Sequence, residues 1–250
     1  MRVKPMADPN ATPTPDSAQL GEQPAGSVPH PQVSRRGGEQ LNAEHNFERR
    51  LPTDTDNGML LMISGPSGAG KTTITRGVER SIADSVFSVS VTTRARTEAD
   101  VEGVDYHFVS EAKFDDMKAR GEFLEYAGVY GKQYGTPKAW VIEQLKRGRL
   151  VILEIDVQGA QQVKRHMPQA FGIFVLPPSE EELLNRLRSR KREDEAQIQK
   201  RFAAAKREIE AARAAGIYNL FIVNVEVGGA IAQAVAAVHA RRIERNISTT

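Results

Sequence analysis

From Met59 onward, short continuous apolar runs alternate with stretches of helical periodicity. The runs are Met59–Ile63, Val86–Val91, Leu150–Ile155, Phe171–Leu176 and Leu220–Val223. Continuous Val, Ile and Leu, in place of strict apolar/polar alternation, suit strands covered by helices on both faces, so the pattern predicts a parallel α/β core. Helical spacing follows the first run at Ile74, Val78 and Ile82. A long helix is predicted with Ile198, Phe202, Ala205, Ile209 and Ala212 on one face and Gly216 as its stop. A final helix over roughly 228–246 shows only an apolar face.

Two excursions interrupt this alternation. Between the second and third runs, Tyr106-His107-Phe108-Val109 is strand-like, Ser110 can cap a short helix, Phe114 and Met117 give that helix an apolar pair, and Gly121 ends it. Strand pieces with a helix predict a small inserted α+β lobe over 90–140. The second excursion opens at Pro177-Pro178-Ser179, where Ser179 and Glu182 have capping-box spacing, and runs through Arg186–Arg192 into the long helix. It is read as a helical lid over 179–202. The core is then 58–89, 141–178 and 203–246, within one folded region 58–246.

Residues 1–57 hold eight of the chain's 13 prolines among Ser, Thr, Gln, Gly and Asn. Such a stretch buries too little to offset its ordering entropy and is expected to be a disordered tail. Met59, the first residue of the first run, leaves a misassigned start as the alternative. Cys is absent, which removes disulfides, thiolate metal sites and cysteine nucleophiles. With 34 basic and 32 acidic side chains, the net charge of +2 argues against a general nucleic-acid or membrane surface. No apolar run approaches the roughly 18 residues of a membrane span, and no secretory signal core is present, so a cytoplasmic location is expected. Oligomeric state is not readable from the chain.

Directly after the first run stands Gly65-Pro66-Ser67-Gly68-Ala69-Gly70-Lys71-Thr72-Thr73, with the spacing Gly-x4-Gly-Lys-Ser/Thr. A strand before it and a helix after it are the setting in which this spacing makes a phosphate-binding loop. Glycines allow the backbone to approach closely, and successive N–H groups converge with the helix N-terminus on an anion. Lys71 then supplies a point charge to the β- and γ-phosphates, and the Thr72 hydroxyl can reach Mg²⁺.

Three further constellations narrow the ligand. Ser88-Val89-Ser90-Val91-Thr92-Thr93-Arg94 sets hydroxyls and a guanidinium at a strand end, where α/β sheets gather ligand groups. Glu125, Tyr126, Tyr130, Tyr134 and Thr136 cluster in the inserted lobe, and Arg186, Arg190 and Arg201 lie on the second excursion, as a lid over a transferring phosphoryl group requires. Together with EGVDYHF, EFLEYA, YGTP, LEIDVQGA and LPPS, these motifs resemble the guanylate kinase family over about 58–243. The resemblance implies a P-loop nucleoside-monophosphate-kinase-like fold: a parallel sheet flanked by helices, an inserted α+β GMP-binding lobe and a helical lid. It implies transfer of a phosphoryl group from ATP to GMP with Mg²⁺ as cofactor, and no covalent nucleophile.

Residue by residue, the resemblance assigns the 65–73 loop to ATP and Ser90, Arg94 and Tyr106 to the GMP phosphate. Glu125, Thr136 and Glu154 would read guanine, with Tyr134 lining that site. Guanine offers N1–H and N2–H₂ as adjacent donors and O6 as an acceptor, which a carboxylate and a hydroxyl complement. The resemblance also gives Arg186, Arg190 and Arg201 to the phosphates, Arg190 and Arg201 reaching GMP as well, Asn224 to the adenine side of ATP, and Asp156 to the neighbourhood of Mg²⁺ through water.

Two positions depart from the family pattern. Thr97 stands where a second phosphate-gripping Arg is usual, with Arg96 one residue earlier, and Val225 follows Asn224 where Asp is common. Alternation on an extended segment points Arg96 away from the site, so Arg96→Ala is expected to cost less GMP affinity than Arg94→Ala.

Plainer readings compete at several residues. Thr136 before Pro137 also fits a helix N-cap followed by Pro, Tyr126 fits a core aromatic, and the Arg186–Arg192 run fits a solvated helix face. The five histidines have no metal-ligand spacing. Asp156-Val157-Gln158-Gly159 resembles a GTPase element, but no Asn-Lys-x-Asp accompanies it. The non-enzyme rival is a guanylate-kinase-like scaffold that binds protein in the GMP cleft. Loss of the Gly-Lys-Thr loop or the lid arginines would be expected of a scaffold, and this chain keeps both.

Overall fold

A computed structural model of the chain describes residues 58–129, 131–189 and 194–247. The Pro-rich segment 1–57, Tyr130 and Arg190 lie outside the described residues. In chain order the elements are β1 (Met59–Ser64), α1 (Lys71–Ser81), β2 (Ser85–Phe87), β3 (Val91–Thr92), β4 (His107–Phe108), α2 (Glu111–Ala119), β5 (Phe123–Val129) and β6 (Lys132–Pro137). There follow α3 (Lys138–Lys146), β7 (Leu150–Glu154), α4 (Val157–His166), β8 (Phe171–Leu176), α5 (Glu180–Ser189), α6 (Glu195–Ala215), β9 (Leu220–Val223) and α7 (Val227–Ile247).

Five strands form a parallel sheet in the order β2-β7-β1-β8-β9. The continuous apolar run of β1 has the expected cause: both faces are covered. Leu61 and Ile63 pack with Ile74 and Val78 of α1 and with Ala234 and Val238 of α7. Leu60 and Met62 pack on the other face with Val141 of α3 and with Ala160 and Val163 of α4. Each such side chain stabilises the fold by about 1.5–3 kcal/mol when fully buried.

The chain leaves β1 towards the β2 side through α1 and leaves β7 towards β8 through α4, on the opposite face. The loops after β1 and β7 therefore diverge at the carboxyl edge of neighbouring strands, which opens a crevice there.

A second, four-stranded sheet in the order β4-β3-β6-β5 is inserted between β2 and β7, with β3 parallel to β4 and antiparallel to β6. The run Val86–Val91 does not remain one strand. Ser85–Phe87 pairs with β7, while Val91–Thr92 pairs with β4 and β6. Within that run Ser88 and Ser90 alternate with apolar residues, and there the chain changes sheets after a last core hydrogen bond from Ser88 N to Ile152 O at 3.0 Å.

The cap signals hold. Ser110 Oγ accepts from Lys113 N at 3.2 Å and Ser179 Oγ from Glu182 N at 3.1 Å. Gly216 closes α6 in the left-handed region at φ 63°. The second excursion is two helices, α5 and α6, joined through Leu183, Leu187, Ile198 and Ala205.

Candidate active site

The loop after β1 is shaped by what stands beside it. Gly70 has φ 95°, and a Cβ there would lie 2.4 Å from Asn224 Nδ2. Asn224 is 1% exposed and donates from Nδ2 to Ala69 O at 2.8 Å, so the residue after β9 braces the loop from behind. Its Oδ1 has no hydrogen-bond partner among the described residues. Lys71 begins α1 and donates to the carbonyls of Gly65 and Pro66. A cleft of about 230 Å³ follows the loop past Ser67, Gly70, Lys71 and Thr72 to Glu154.

A second cavity, of about 340 Å³, is lined by Lys71, Ser90, Tyr106, Glu125, Tyr134, Glu154, Asp156 and Glu208. The crevice thus brings the start of α1, the end of β7 and the inserted sheet together. Glu125 and Thr136 are cross-strand partners of β5 and β6, and the buried Thr136 hydroxyl donates to Glu125 Oε1 at 2.5 Å. Cross-strand pairing accounts for two polar groups buried side by side. The N-cap of α3 is Pro137 with no side-chain cap, so the capping reading of Thr136 is corrected: the hydroxyl serves Glu125 instead.

Glu125 also approaches the first turn of α4, where a Cβ on Gly159 would lie 2.4 Å from Oε2; glycine is what leaves room for the carboxylate. Burial pushes the Glu125 carboxyl up to about 7, the Thr136 hydrogen bond opposes this and nearby Asp156 adds to it. Asp156 caps α4, its Oδ1 accepting from Gly159 N at 2.7 Å.

Arg94 is held rather than extended. Its NH1 and NH2 donate to the two oxygens of Asp100 at 2.9 and 2.8 Å, and its guanidinium lies 5.1 Å from the Tyr106 ring centroid. Asp100 also accepts from Thr97 N at 2.7 Å and Thr97 Oγ1 at 2.6 Å. These donors, Arg94 first, hold the Asp100 carboxyl well below the usual carboxylate range. Arg96 is exposed and donates from Nε to the Asp100 carbonyl at 3.0 Å.

Tyr106 and Tyr134 meet edge to face at 5.6 Å, and burial raises the Tyr106 phenol. Tyr126 is 37% exposed beneath the Lys118 ammonium, so the core reading of that residue is corrected. Its place on β5 points it away from the buried Glu125, as alternation requires.

From the second excursion, Arg201 donates to Ser67 Oγ of the loop, and Arg186 donates to Glu182 at 2.7 Å and to Asn224 O at 3.1 Å. Glu154 accepts from the Thr72 hydroxyl at 2.8 Å and lines both cavities, at their junction. Thr72 and Asp156 bring oxygen atoms beside the loop, the ligand type that Mg²⁺ takes when phosphate and water complete its shell.

Glu208 is absent from the sequence reading. It stands seven residues after Arg201, on the same face of α6, and reaches the cavity. Burial pushes its carboxyl up to about 7, with Lys71 acting against the shift and Asp156 adding to it. That seven-residue spacing was the available signal.

A phosphate-binding loop at the carboxyl edge of a parallel sheet, facing an inserted sheet with a buried carboxylate–hydroxyl pair, defines a P-loop phosphotransferase with a separate acceptor pocket. The family model "Guanylate kinase" matches residues 57–241. Guanylate kinase of Anaeromyxobacter dehalogenans is 45% identical over 204 residues, spanning 81% of this chain and 87% of its own length. Guanylate kinase of Clostridioides difficile is 49% identical over 170 residues, 68% of this chain and 82% of its own. The crystal structure of guanylate kinase from Anaplasma phagocytophilum superimposes with TM-score 0.60 at 30% identity, covering 76% of this chain and 89% of that one. The chain belongs to the guanylate kinase family, and its reaction is phosphoryl transfer between ATP and GMP.

Proposed function

We propose that the two cavities divide the reaction, the loop cleft taking ATP and the larger cavity taking GMP. The buried Glu125 carboxylate carries this reading, because it lines one cavity with Lys71 and has the Thr136 hydroxyl hydrogen-bonded behind it. Guanine N1–H and N2–H₂ donate to the Glu125 carboxylate while the Thr136 hydroxyl turns to donate to O6. Adenine would aim the N1 lone pair at the carboxylate and bring no 2-amino group. Buried polar groups left unpaired in this way discriminate by about 10⁴.

Ser90, Arg94 and Tyr106 hold the acceptor phosphate, and Tyr134 lines the base. Glu154, at the junction of the cavities, reaches both the base side and Thr72. An acceptor phosphate oxygen attacks the γ-phosphorus, the new P–O bond forms as the bond to the β-phosphate oxygen breaks, and ADP leaves. Lys71 exchanges its loop carbonyls for the β- and γ-phosphates, and Arg186, Arg190 and Arg201 neutralise the transferring group as the 179–202 lid closes over it. Thr72, and Asp156 through water, would hold Mg²⁺, which would supply positive charge against the transferring phosphates. Asn224 serves the adenine side of ATP from a position in which its side chain braces the loop.

We assign the lobe to 90–140 and the core to 58–89, 141–178 and 203–246. Among the described residues no helix is long and apolar enough to cross a membrane. The substrates, both cytoplasmic nucleotides, suit a cytoplasmic enzyme.

The test is ADP production from ATP and Mg²⁺ with GMP, AMP, CMP or UMP as acceptor, against Lys71→Ala as blank. Turnover with GMP alone is expected; equal turnover with AMP would overturn the assignment of Glu125 and Thr136.

A further inference from the structure

A third cavity, of about 150 Å³, opens between the start of α1 and the inserted sheet. Ser90 and Tyr106, assigned above to the acceptor phosphate, line it together with Thr72 and Glu154. Its charge is unfavourable for that ligand. Asp105 and Glu154 contribute carboxylates, Thr97 stands where the family pattern has a second arginine, and Arg94 shares its charge with Asp100, which accepts from both of its terminal nitrogens. A phosphate dianion placed there needs a cation.

Arg76 lines this cavity. It lies four residues after Thr72 on α1, hence on the same face one turn further on. Its guanidinium sits 4.1 Å from the Phe87 ring centroid, which fixes the plane of the fork. Phe87 itself lines the cavity at the end of β2, so the stack is part of the wall. NH1 donates to Glu79 at 2.8 Å in a partly exposed i,i+3 pair, with the Arg76 side chain 33% exposed. Partly exposed pairs of this kind are weak, and a phosphate dianion outcompetes one carboxylate for a planar guanidinium.

We propose that Arg76 is a ligand of the acceptor phosphate, supplying from α1 the positive charge that Thr97 does not supply from the lobe. The inference rests on the reading of Ser90 and Tyr106 as acceptor-phosphate residues. It assigns the acceptor phosphate one guanidinium from the lobe and one from the core, so that the helix carrying Lys71 and Thr72 also holds the attacking group. Donor and acceptor phosphates are then referenced to one rigid element, as in-line transfer demands.

Arg76→Gln and Arg76→Lys in the full chain separate this from a structural role. KM for GMP and for ATP would be measured, along with the inhibition constant of guanosine, which keeps the base and lacks the phosphate. Loss of a charge-assisted hydrogen bond predicts that Arg76→Gln raises KM for GMP about tenfold. KM for ATP and guanosine inhibition stay within about twofold, and Arg76→Lys, which keeps the charge and more of the packing over Phe87, restores most of the loss. An unchanged KM for GMP in Arg76→Gln would overturn the proposal, as would a parallel weakening of guanosine or a Lys variant as impaired as the Gln variant. Arg94→Ala tests the underlying phosphate site independently. If Arg94→Ala raises KM for GMP and Arg76→Gln does not, the Arg76 inference alone fails.

Discussion

The two sides of the active site are built in opposite ways. On the donor side, nine consecutive residues, Gly65–Thr73, form the loop, and its chemistry is mostly backbone: N–H groups, a helix N-terminus, one lysine and one hydroxyl. On the proposed acceptor side, Ser90 and Arg94, Tyr106, Glu125 and Thr136 come from four separate stretches. Their neighbourhood exists only because β3, β4, β5 and β6 pair and dock against α4. In the proposed division, the donor side grips phosphate whatever the base, whereas the acceptor side reads a base with two buried polar side chains. A local site tolerates tertiary change and a distributed one does not, so their variants should fail differently.

The largest effect is expected on the donor side. Lys71→Ala should lower kcat by about 10³ with GMP binding intact, since the lysine acts on charge developing at the β- and γ-phosphates. Steady-state kinetics with separate GMP binding by calorimetry check this.

On the acceptor side, Arg94→Ala should raise KM for GMP by about thirtyfold, the scale of a lost charge-assisted fork. Arg96→Ala, removing an exposed side chain bonded to the Asp100 backbone carbonyl, should change KM by less than about threefold. An Arg96 effect as large as that of Arg94 would mean that the 94–100 turn rearranges around the phosphate.

A smaller effect is expected from pH. Glu125 has a folded-state value raised to about 7 from an ordinary 4.5, so its protonation favours the fold, and that stability is lost as pH rises through 7. Guanine binding has the opposite sign, because N1–H and N2–H₂ need an ionised acceptor. Guanosine, free of a titrating phosphate, should bind up to about tenfold more weakly per unit below pH 7, and Glu125→Gln should flatten that profile. Thr136, Asp156 and the first turn of α4 face the carboxylate and set where the midpoint falls.

The same contrast explains what the chain revealed in advance. The loop, the caps at Ser110 and Ser179 and the five core runs were legible because their causes are local: spacing, capping chemistry and burial on two faces. Resemblance to a family supplied the proposed guanine pair, which no spacing rule couples across the sequence separation of eleven between Glu125 and Thr136. Asp100, Glu208 and Arg76 escaped notice for a related reason. Each is a common charged residue on a turn or helix, and its role depends on what the fold sets opposite: the Arg94 fork, Lys71 and the third cavity. The split of Val86–Val91 shows the limit from the other direction, since an apolar run with two serines reads as one strand until two sheets compete for its ends.

The most direct test of the division between a base-blind donor side and a base-reading acceptor side is the ratio of kcat/KM for GMP to that for AMP, in the native chain and in Glu125→Gln. The account predicts a native ratio of about 10³ or more, falling by at least about tenfold in the variant with KM for ATP unchanged. A variant that keeps the native ratio, or one whose ATP constant shifts as much as its GMP constant, would contradict it.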